Sequence, residues 1–411
     1  MTTRADRATA EAVASVVAAE RARMVASLIR LTGDWDLAED CVQNAVERAL
    51  MRWPREGMPR SPAAWLMTTA ARNRALDILR RRQPERAKLQ ERALLDEMGS
   101  GATGRRDPEP DDRLRLIFTC CHPALALDGR VALTLKTVAG LSTAEIARAF
   151  LVSEPTMSQR LLRTKRKIAN AAIPYRVPPD ELLAERTAGV LAVLYLVFNE
   201  GYGRREDHLA VEALRLARLL VDLMPGDDEA RGLALIALQL SRRTTRFDAR
   251  GELVPMEEQD RGRWDAALIE EGRRQLRRAT GSGRPPGPYR LQAEIAACHA
   301  TPPAAEATAW GSIVTLYDAL LAAQPSPVVA LNRAIAVGFR DGWAAGLAAL
   351  DALDATALND YYLLPAARAD FLRRLGRDDE ARHAYLAALD LVPARPEGRL
   401  LQRRLGELQE R

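Results

Sequence analysis

The chain has 411 residues, of which 47% are hydrophobic and 28% are charged, and its formal net charge is +5. No apolar run approaches the roughly 20 residues that a membrane-spanning helix needs, and the N-terminus shows no apolar core followed by a cleavage site. These features exclude membrane-spanning classes and predict a cytoplasmic protein. The 4 cysteines are too few and too scattered for a disulfide framework, so reduced thiols are expected.

The charge is unevenly distributed along the chain. Residues 1–173 contain 29 Lys and Arg against 21 Asp and Glu, whereas residues 174–411 contain 31 against 34. The first part is therefore expected to bind a polyanion, and the second part is not.

Nearly every stretch predicts helix, because apolar residues recur every three or four positions and Ala, Leu, Arg and Glu dominate. Two stretches, 97–112 and 171–181, lack this period and are rich in Gly, Ser or Pro. The sequence thus predicts an all-α protein with a first helical segment at 1–87, a flexible linker at 88–110, a second segment at 111–173 and a third at 174–411.

Residues 31–54 predict a helix with one apolar face and one acidic, amide-rich face. The polar face carries Glu39, Asp40, Gln43 and Glu47. Taken alone, this pattern is typical of a solvated helix face.

Residues 61–82 predict a basic helix. Ser61 and Pro62 stand where an N-cap and a first-turn proline belong, and Trp65 begins an apolar side. The later turns carry Arg72, Asn73, Arg74, Asp77, Arg80, Arg81 and Arg82. A cationic helix with an Asn and an aromatic residue suits single-stranded DNA, where Arg holds phosphates and an unstacked base is read on its edges. The alternative is an exposed basic helix end without a ligand.

The tetrapeptide CCHP at 120–123 contains good zinc ligands in an unsuitable arrangement. Adjacent residues rarely supply one tetrahedral site, and no spaced CxxC or HxxxH motif completes it. A helix end at His122 and Pro123 is the preferred interpretation, and no metal or other cofactor is predicted.

Residues 142–168 predict a helix-turn-helix. Ser142 and Glu145 form a capping-box pattern, and Ser153 can cap the second helix, whose first turn contains Pro155. In such motifs the second helix enters the major groove, where Thr, Gln and Arg can contact base edges and other basic residues hold phosphate. The outward positions are Thr156, Gln159, Arg160, Arg163 and Lys167, and Ser153, Glu154 and Arg166 are also assigned to the DNA contact. A helix pair with a merely charged outer face is the alternative.

The third segment contains an internal repeat. Ile313, Tyr317, Leu320 and Pro325 recur 68 residues later as Ala381, Tyr385, Ala388 and Pro393. This spacing is twice the roughly 34-residue period of a tetratricopeptide (TPR) repeat, which predicts a TPR-like helical solenoid with a concave binding surface. An irregular all-helical domain is the alternative.

Together these motifs resemble extracytoplasmic-function (ECF) RNA polymerase sigma factors of the sigma-70 family. The resemblance rests on DLAEDCVQNAVERAL at 36–50, WLMTTAARNRALDILRRR at 65–82 and LSTAEIARAFLVSEPTMSQRLLRTKRKI at 141–168. These stretches are similar to regions 2.2, 2.3 to 2.4 and 4.2, respectively. Further stretches, including LAVLYLVFNEGY, EEQDRGRWD and SPVVALNRAIAVG, resemble the subgroup with a long C-terminal TPR-like extension, often called the ECF42 group.

The resemblance implies binding to core RNA polymerase and promoter DNA. The β′ clamp helices would bind the polar face formed by Glu39, Asp40, Gln43 and Glu47. The second segment would also lie on the β flap. The basic helix, including Trp65 and Asn73, would contact the minus-ten element, and the residues from Ser153 to Lys167 named above would read the minus-thirty-five element. Residues 174–411 would regulate or support this core by contacting it, polymerase or a signalling protein.

Two other classes of protein compete with this interpretation. Catalysis is not predicted, because His208, His299 and His383 are isolated and no nucleophile elbow, phosphate loop or recognisably spaced carboxylate pair occurs. A helix-turn-helix regulator that senses a ligand or partner through its repeats, without being a sigma factor, remains the alternative function.

Overall fold

The computed structural model describes residues 4–82, 111–204, 207–280, 283, 285–392 and 396–408. The regular elements in these ranges are helices, and the β-structure described there is one isolated antiparallel bridge between Phe247 and Leu253. The prediction of an all-α protein is confirmed. No helix of the described ranges is long and apolar enough to span a membrane.

The chain divides into two compact units, residues 1–216 and 217–411, and the division falls within the helix Asp207–Leu223. The predicted linker at 88–110 lies outside the described residues. The predicted boundaries at 87, 110 and 173 therefore stay predictions. The helices of the first unit are α1 Arg4–Thr32, α2 Trp35–Glu56, α3 (Pro62–Ala64, Trp65–Arg72 and Asn73–Arg82), α4 Asp112–Cys120, α5 Leu127–Thr134, α6 Thr143–Ala149, α7 Glu154–Asn170, α8 Asp180–Arg204 and α9 Asp207–Leu223.

Helix α3 contains both α-helical and π-helical turns. It begins as an α-helical turn at Pro62–Ala64, continues as a π-helix at Trp65–Arg72 and ends as an α-helix at Asn73–Arg82. Ser61 and Pro62 occupy the expected N-cap and first-turn positions, but the Ser61 side chain makes no capping hydrogen bond. Wide π-turns are rare and often mark functional positions, and this one leads directly into Asn73.

Within the first unit, helix α1 packs against the part that follows residue 110. Arg30 of α1 forms an ion pair with Asp112 of α4 at 3.0 Å. The Tyr175 hydroxyl, just beyond α7, donates to the carbonyl oxygen of Ala26 at 2.9 Å. The parts on either side of the predicted linker are therefore in direct contact in this structure.

The second unit is a succession of helices in which each packs on its neighbours. After the end of α9 these are α10 Asp228–Gly232, α11 Ala234–Leu240, α12 Ala266–Thr280, α13 Pro288–Ala300, α14 Trp310–Ala323, α15 Pro327–Asp341, α16 Trp343–Asp351, α17 Leu363–Arg374, α18 Asp378–Leu391 and α19 Pro396–Glu407. The long connection between α11 and α12 carries the Phe247 to Leu253 bridge.

Small residues allow close packing of the helices in the second unit. Gly338 of α15 and Gly346 of α16 both face the Phe371 ring, and a Cβ on either glycine would lie within 2.6 Å of that ring. Of the repeated positions, Tyr317 is half-buried and Pro325 is exposed, while the buried ones are Ile313, Leu320, Ala381, Tyr385 and Ala388. This arrangement is consistent with the predicted helical solenoid, whereas the assignment to TPR repeats stays a prediction.

Candidate DNA-binding and polymerase-binding surfaces

Local capping bonds start both helices of the predicted helix-turn-helix. The Ser142 hydroxyl accepts a hydrogen bond from Glu145 N at 3.2 Å, and the Glu145 carboxylate accepts one from Ser142 N at 2.7 Å. Ser153 accepts from Thr156 N at 3.3 Å, with Pro155 in the first turn of α7. The predicted capping box and second cap are confirmed, and the turn between the helices places Leu151 at a φ of 51°.

Helix α7 has a buried face and a basic exposed face. Met157, Leu161, Thr164 and Ile168 are buried against the rest of the unit. The exposed residues that the sequence assigns to the DNA contact are Ser153, Glu154, Thr156, Gln159, Arg163, Arg166 and Lys167. This face presents amide, hydroxyl and guanidinium groups that can bind base edges and phosphates.

Arg160 differs from the other residues of that set. It is half-buried, its Nε lies 3.2 Å from a carboxylate oxygen of Asp128, and its guanidinium lies 5.7 Å from the centre of the Phe150 ring. In this structure Arg160 links α7 to the helices that precede it. Its assignment to the minus-thirty-five contact stays a prediction.

A close approach of α5 and α7 fixes the position of the second helix of the motif. A Cβ on Gly129 would lie 2.7 Å from the Thr164 hydroxyl. We expect Gly129→Leu to lower the free energy of unfolding by about 1–3 kcal/mol through overpacking, and to reduce transcription that depends on the minus-thirty-five element. Urea unfolding measures the first effect and run-off transcription the second.

Gly189→Ala provides the control, because a Cβ there meets only the Cys121 carbonyl oxygen, at an ordinary 3.8 Å. Alanine also favours a helix interior more than glycine does, so this variant should not lose stability. If Gly129→Leu unfolds at the same urea concentration as the native chain, the close approach does not determine the packing of α7.

Helix α2 presents the predicted polymerase-binding face. Asp34 caps the helix by accepting from Leu37 N at 3.0 Å. Asp40, Gln43 and Glu47 are exposed, and the Gln43 amide donates to the Glu47 carboxylate at 3.3 Å. The acidic and amide face therefore extends over about two helical turns.

Glu39, the fourth residue of that face, is bound within the unit. The Lys165 ammonium of α7 donates to the Glu39 carboxylate at 3.1 Å and to the Asp36 carboxylate at 2.7 Å. The side chains of Lys165 and Glu39 retain only 13% and 15% of their exposure. Burial on its own would lower the pKa of Lys165, but Glu39 and Asp36 raise it above its ordinary value. The predicted DNA-reading helix thus lies directly against one edge of the predicted polymerase face.

The predicted minus-ten residues are described only in part. Trp65 is half-buried and packs edge to face against Trp53, with 5.5 Å between the ring centres, while Arg74 and Asp77 are exposed. The side chains of Arg72, Asn73, Arg80, Arg81 and Arg82 lie outside the described part, although their helical backbone lies within it.

Two arginines from the predicted third segment cap helix ends of the second segment. The sequence did not predict either contact. Arg186 of α8 donates to the Phe118 carbonyl oxygen at 2.8 Å, near the end of α4. Arg215 of α9 donates to the Val138 carbonyl oxygen at 3.3 Å, in the π-helix Leu135–Ala139 that continues α5. Such carbonyls lack intrahelical donors, which makes them acceptors for side chains. Burial lowers the pKa of Arg186 below its ordinary value.

The CCHP segment forms the end of α4. Cys120 and Cys121 are buried and free, and burial raises the pKa of Cys121 to about 11, so this thiol is protonated at neutral pH. Within the described ranges, no three His, Cys, Asp or Glu side chains lie close enough to share a metal ion.

Comparison with known protein families agrees with this geometry. Residues 16–85 match the family model of sigma-70 region 2, and residues 115–168 match that of sigma-70 region 4. Residues 186–280 match a family of unknown function, DUF6596. These matches define a transcription factor that works with core RNA polymerase and promoter DNA rather than an enzyme.

The chain belongs to the sigma-70 family, as a sigma factor of the ECF type with a C-terminal extension. It is 43% identical over 399 residues to Uncharacterized protein R00370 of Rhizobium meliloti (strain 1021), with 94% of each chain covered. No solved structure matches the chain. Assignment to the ECF42 group stays a prediction.

Proposed function

We propose that this sigma factor directs initiation at promoters with two recognition elements. Exposed groups of α7, from Thr156 to Lys167, would read the minus-thirty-five element as duplex. Helix α3, with Asn73 following the π-helix, would hold the melted minus-ten element. Asp40, Gln43 and Glu47 would bind the basic β′ clamp helices, with Glu39 completing this face once Lys165 moves away.

The observation that carries this proposal is the exposed face of α7. Its capped first turn and buried Met157 and Leu161 fix the helix, and its polar and basic residues remain exposed on the other side. Flipping a base of the minus-ten element would cost a few kcal/mol, which contacts from α3 and polymerase would offset.

Transcription with purified core polymerase tests this function. Templates should carry the sequence upstream of the protein's own gene, and the core enzyme should contain no other sigma factor. The expected result is a specific start site that disappears when either promoter element is scrambled. Duplex binding without initiation would instead support a helix-turn-helix regulator.

The extension is proposed to support the sigma core through the helix ends that it caps. Arg186 and Arg215 donate to carbonyls at the ends of helices in region 4. Each unmade bond to a buried carbonyl costs about 1–3 kcal/mol. The extension would thereby stabilise the part that carries α7, and its other surfaces would remain accessible to polymerase or a signalling protein.

A double variant, Arg186→Ala with Arg215→Ala, should lower promoter-specific transcription by about tenfold, which corresponds to loss of about 1.4 kcal/mol. The reason is that region 4 loses two capping donors at once. Arg176→Ala is the control, because Arg176 is an exposed arginine shortly before α8. Equal transcription by the double variant and the control would show that these caps do not support the sigma core.

A further inference from the structure

A short acidic stretch of the second unit lies against arginines that come from far along the chain. It comprises residues 251–258, GELVPMEE, and we call it the acidic segment. Asp248 closes the turn at its start, because the Asp248 carboxylate accepts from Glu252 N at 2.8 Å. The segment ends in a 3-10 turn at Met256–Glu258.

Four arginines of helices α17 and α19 bind this segment. Arg374 forms an ion pair with Glu257, and Arg404 forms one with Glu258. Arg403 Nε lies 3.9 Å from a carboxylate oxygen of Glu252, and Arg399 donates to the Gly251 carbonyl oxygen at 2.9 Å. All three carboxylates of the acidic segment therefore face arginine.

Two of these arginines are also held by partners outside the segment. Arg374 donates to Asp370 at 2.7 Å, and its guanidinium lies 4.4 Å from the centre of the Trp343 ring. Arg404 donates to Glu407, on its own helix, at 3.2 Å. Because these contacts do not involve the acidic segment, both arginines would keep their positions if the segment moved away.

The acidic segment covers only part of a longer concavity. One cavity of about 850 Å³ and another of about 260 Å³ lie beside it. Both cavities are lined by Pro255, Glu257, Ile335, Phe339 and Asp370. The larger cavity continues toward Trp310 and the smaller toward Leu401, so open space lies beside the segment in both directions.

The ion pairs that hold the segment are partly exposed. The Glu258 and Glu257 side chains retain 41% and 35% of their exposure, whereas those of Arg404 and Arg374 retain 17% and 19%. Water and salt therefore reach these pairs from the glutamate side. A competing acidic chain can replace the carboxylates one for one, while release of the segment also breaks the bridge between Phe247 and Leu253.

We propose that this concave face of the second unit is a docking site for an acidic, extended segment of a partner protein, and that the acidic segment occupies the site until the partner binds. The proposal deepens the proposed role of the extension and rests on it. Charge complementarity selects the partner, since Arg374, Arg403 and Arg404 pair with carboxylates. Apolar side chains of the partner would enter the two cavities.

A peptide with the sequence of residues 248–259, DARGELVPMEEQ, is the probe for this site. Its binding to the full chain is measured by fluorescence anisotropy, without polymerase or DNA. A variant with Glu252→Gln, Glu257→Gln and Glu258→Gln should bind the peptide about tenfold more tightly than the native chain, because its internal competitor is weakened. Adding Arg374→Gln and Arg404→Gln should abolish that binding.

Two controls separate this site from general attraction of acidic peptides. Arg382→Gln changes a half-buried arginine of α18 that pairs with Asp379, and it should leave binding unchanged. A peptide with Gln in place of its three Glu residues should not bind. Equal binding of the two peptides, or no gain in the triple variant, overturns the proposal.

Hydrogen exchange of the native chain provides a second measurement that needs no variant. Excess acidic peptide should speed exchange of the amides in residues 251–258, and unchanged exchange at saturating peptide overturns the proposal. Because neither measurement involves initiation, failure here leaves the proposed sigma activity untouched. Failure of promoter-specific transcription would likewise leave the peptide result standing.

Discussion

Replacing Lys165 with glutamate is expected to tighten binding of the chain to core RNA polymerase by about 10- to 100-fold. Glu39 belongs to the proposed polymerase face, and Lys165 donates a hydrogen bond to it. Polymerase must break this contact before Glu39 can meet a basic partner. A hydrogen bond between charged groups contributes about 1.5–3 kcal/mol, and about 1.4 kcal/mol corresponds to tenfold in affinity. Titration of labelled protein with core enzyme, in the absence of DNA, measures the change.

Lys167→Glu is the matched control, because Lys167 is an exposed lysine of the same helix. It changes the net charge equally and should leave the affinity for polymerase unchanged. Lys165→Met should give an intermediate gain, since it removes the attraction without adding repulsion. If the Lys165 and Lys167 variants bind polymerase equally, the contact with Glu39 does not limit access to the α2 face.

The contact between Lys165 and Glu39 should not respond to pH in the neutral range. The pKa of Lys165 is raised above 10.5, so the stabilisation from its charge is complete in the neutral range and is lost only as the pH rises through that higher value. Salt screens a mostly buried pair such as Lys165 and Glu39, with 13% and 15% of their side-chain exposure, much less than an exposed one. The difference in polymerase affinity between the native chain and Lys165→Glu should therefore shrink only slightly with added salt and stay constant near neutral pH.

Features that depend on neighbouring residues could be predicted from the sequence. The capping pair Ser142 and Glu145, the cap at Ser153 and the buried positions Met157 and Leu161 all follow from spacings of three and four within a helix. Each is determined by residues of the same turn or the next. The structure confirms them for that reason.

Contacts between distant segments could not be predicted in the same way. The sequence marks Lys165 only as one more positive charge, yet this lysine binds Glu39, 126 residues earlier. One signal is present, because Lys165 follows Leu161 by four and precedes Ile168 by three, which places it on the buried face of α7. The spacing does not indicate which carboxylates Lys165 binds.

The acidic segment shows the same limit in the second unit. Its sequence is typical of an ordinary polar loop, and periodicity favours only the flanking helices. Arg374 and Arg404 lie 117 and 146 residues beyond their partners. Only the folded chain brings these charges together, and the same holds for Gly338 and Phe371 among the packed helices.

A double variant, Gln159→Ala with Arg163→Ala, is expected to lower transcription from a promoter with an intact minus-thirty-five element by on the order of 100-fold. Both side chains are exposed on α7. A good bidentate contact to a base contributes about 1–3 kcal/mol of discrimination. Because neither side chain is buried, the free energy of unfolding should not change. Run-off transcription on the intact promoter, with urea unfolding in parallel, measures both quantities.

Arg163→Lys separates base reading from charge. Lysine keeps the attraction to phosphate but loses the planar, two-pronged geometry of arginine. It should therefore reduce discrimination between intact and scrambled elements while leaving the salt dependence of promoter binding unchanged. Arg163→Lys could instead lower transcription equally on intact and scrambled promoters while keeping the discrimination between them. In that case this face contributes only general attraction to DNA, which would contradict direct reading of bases by α7.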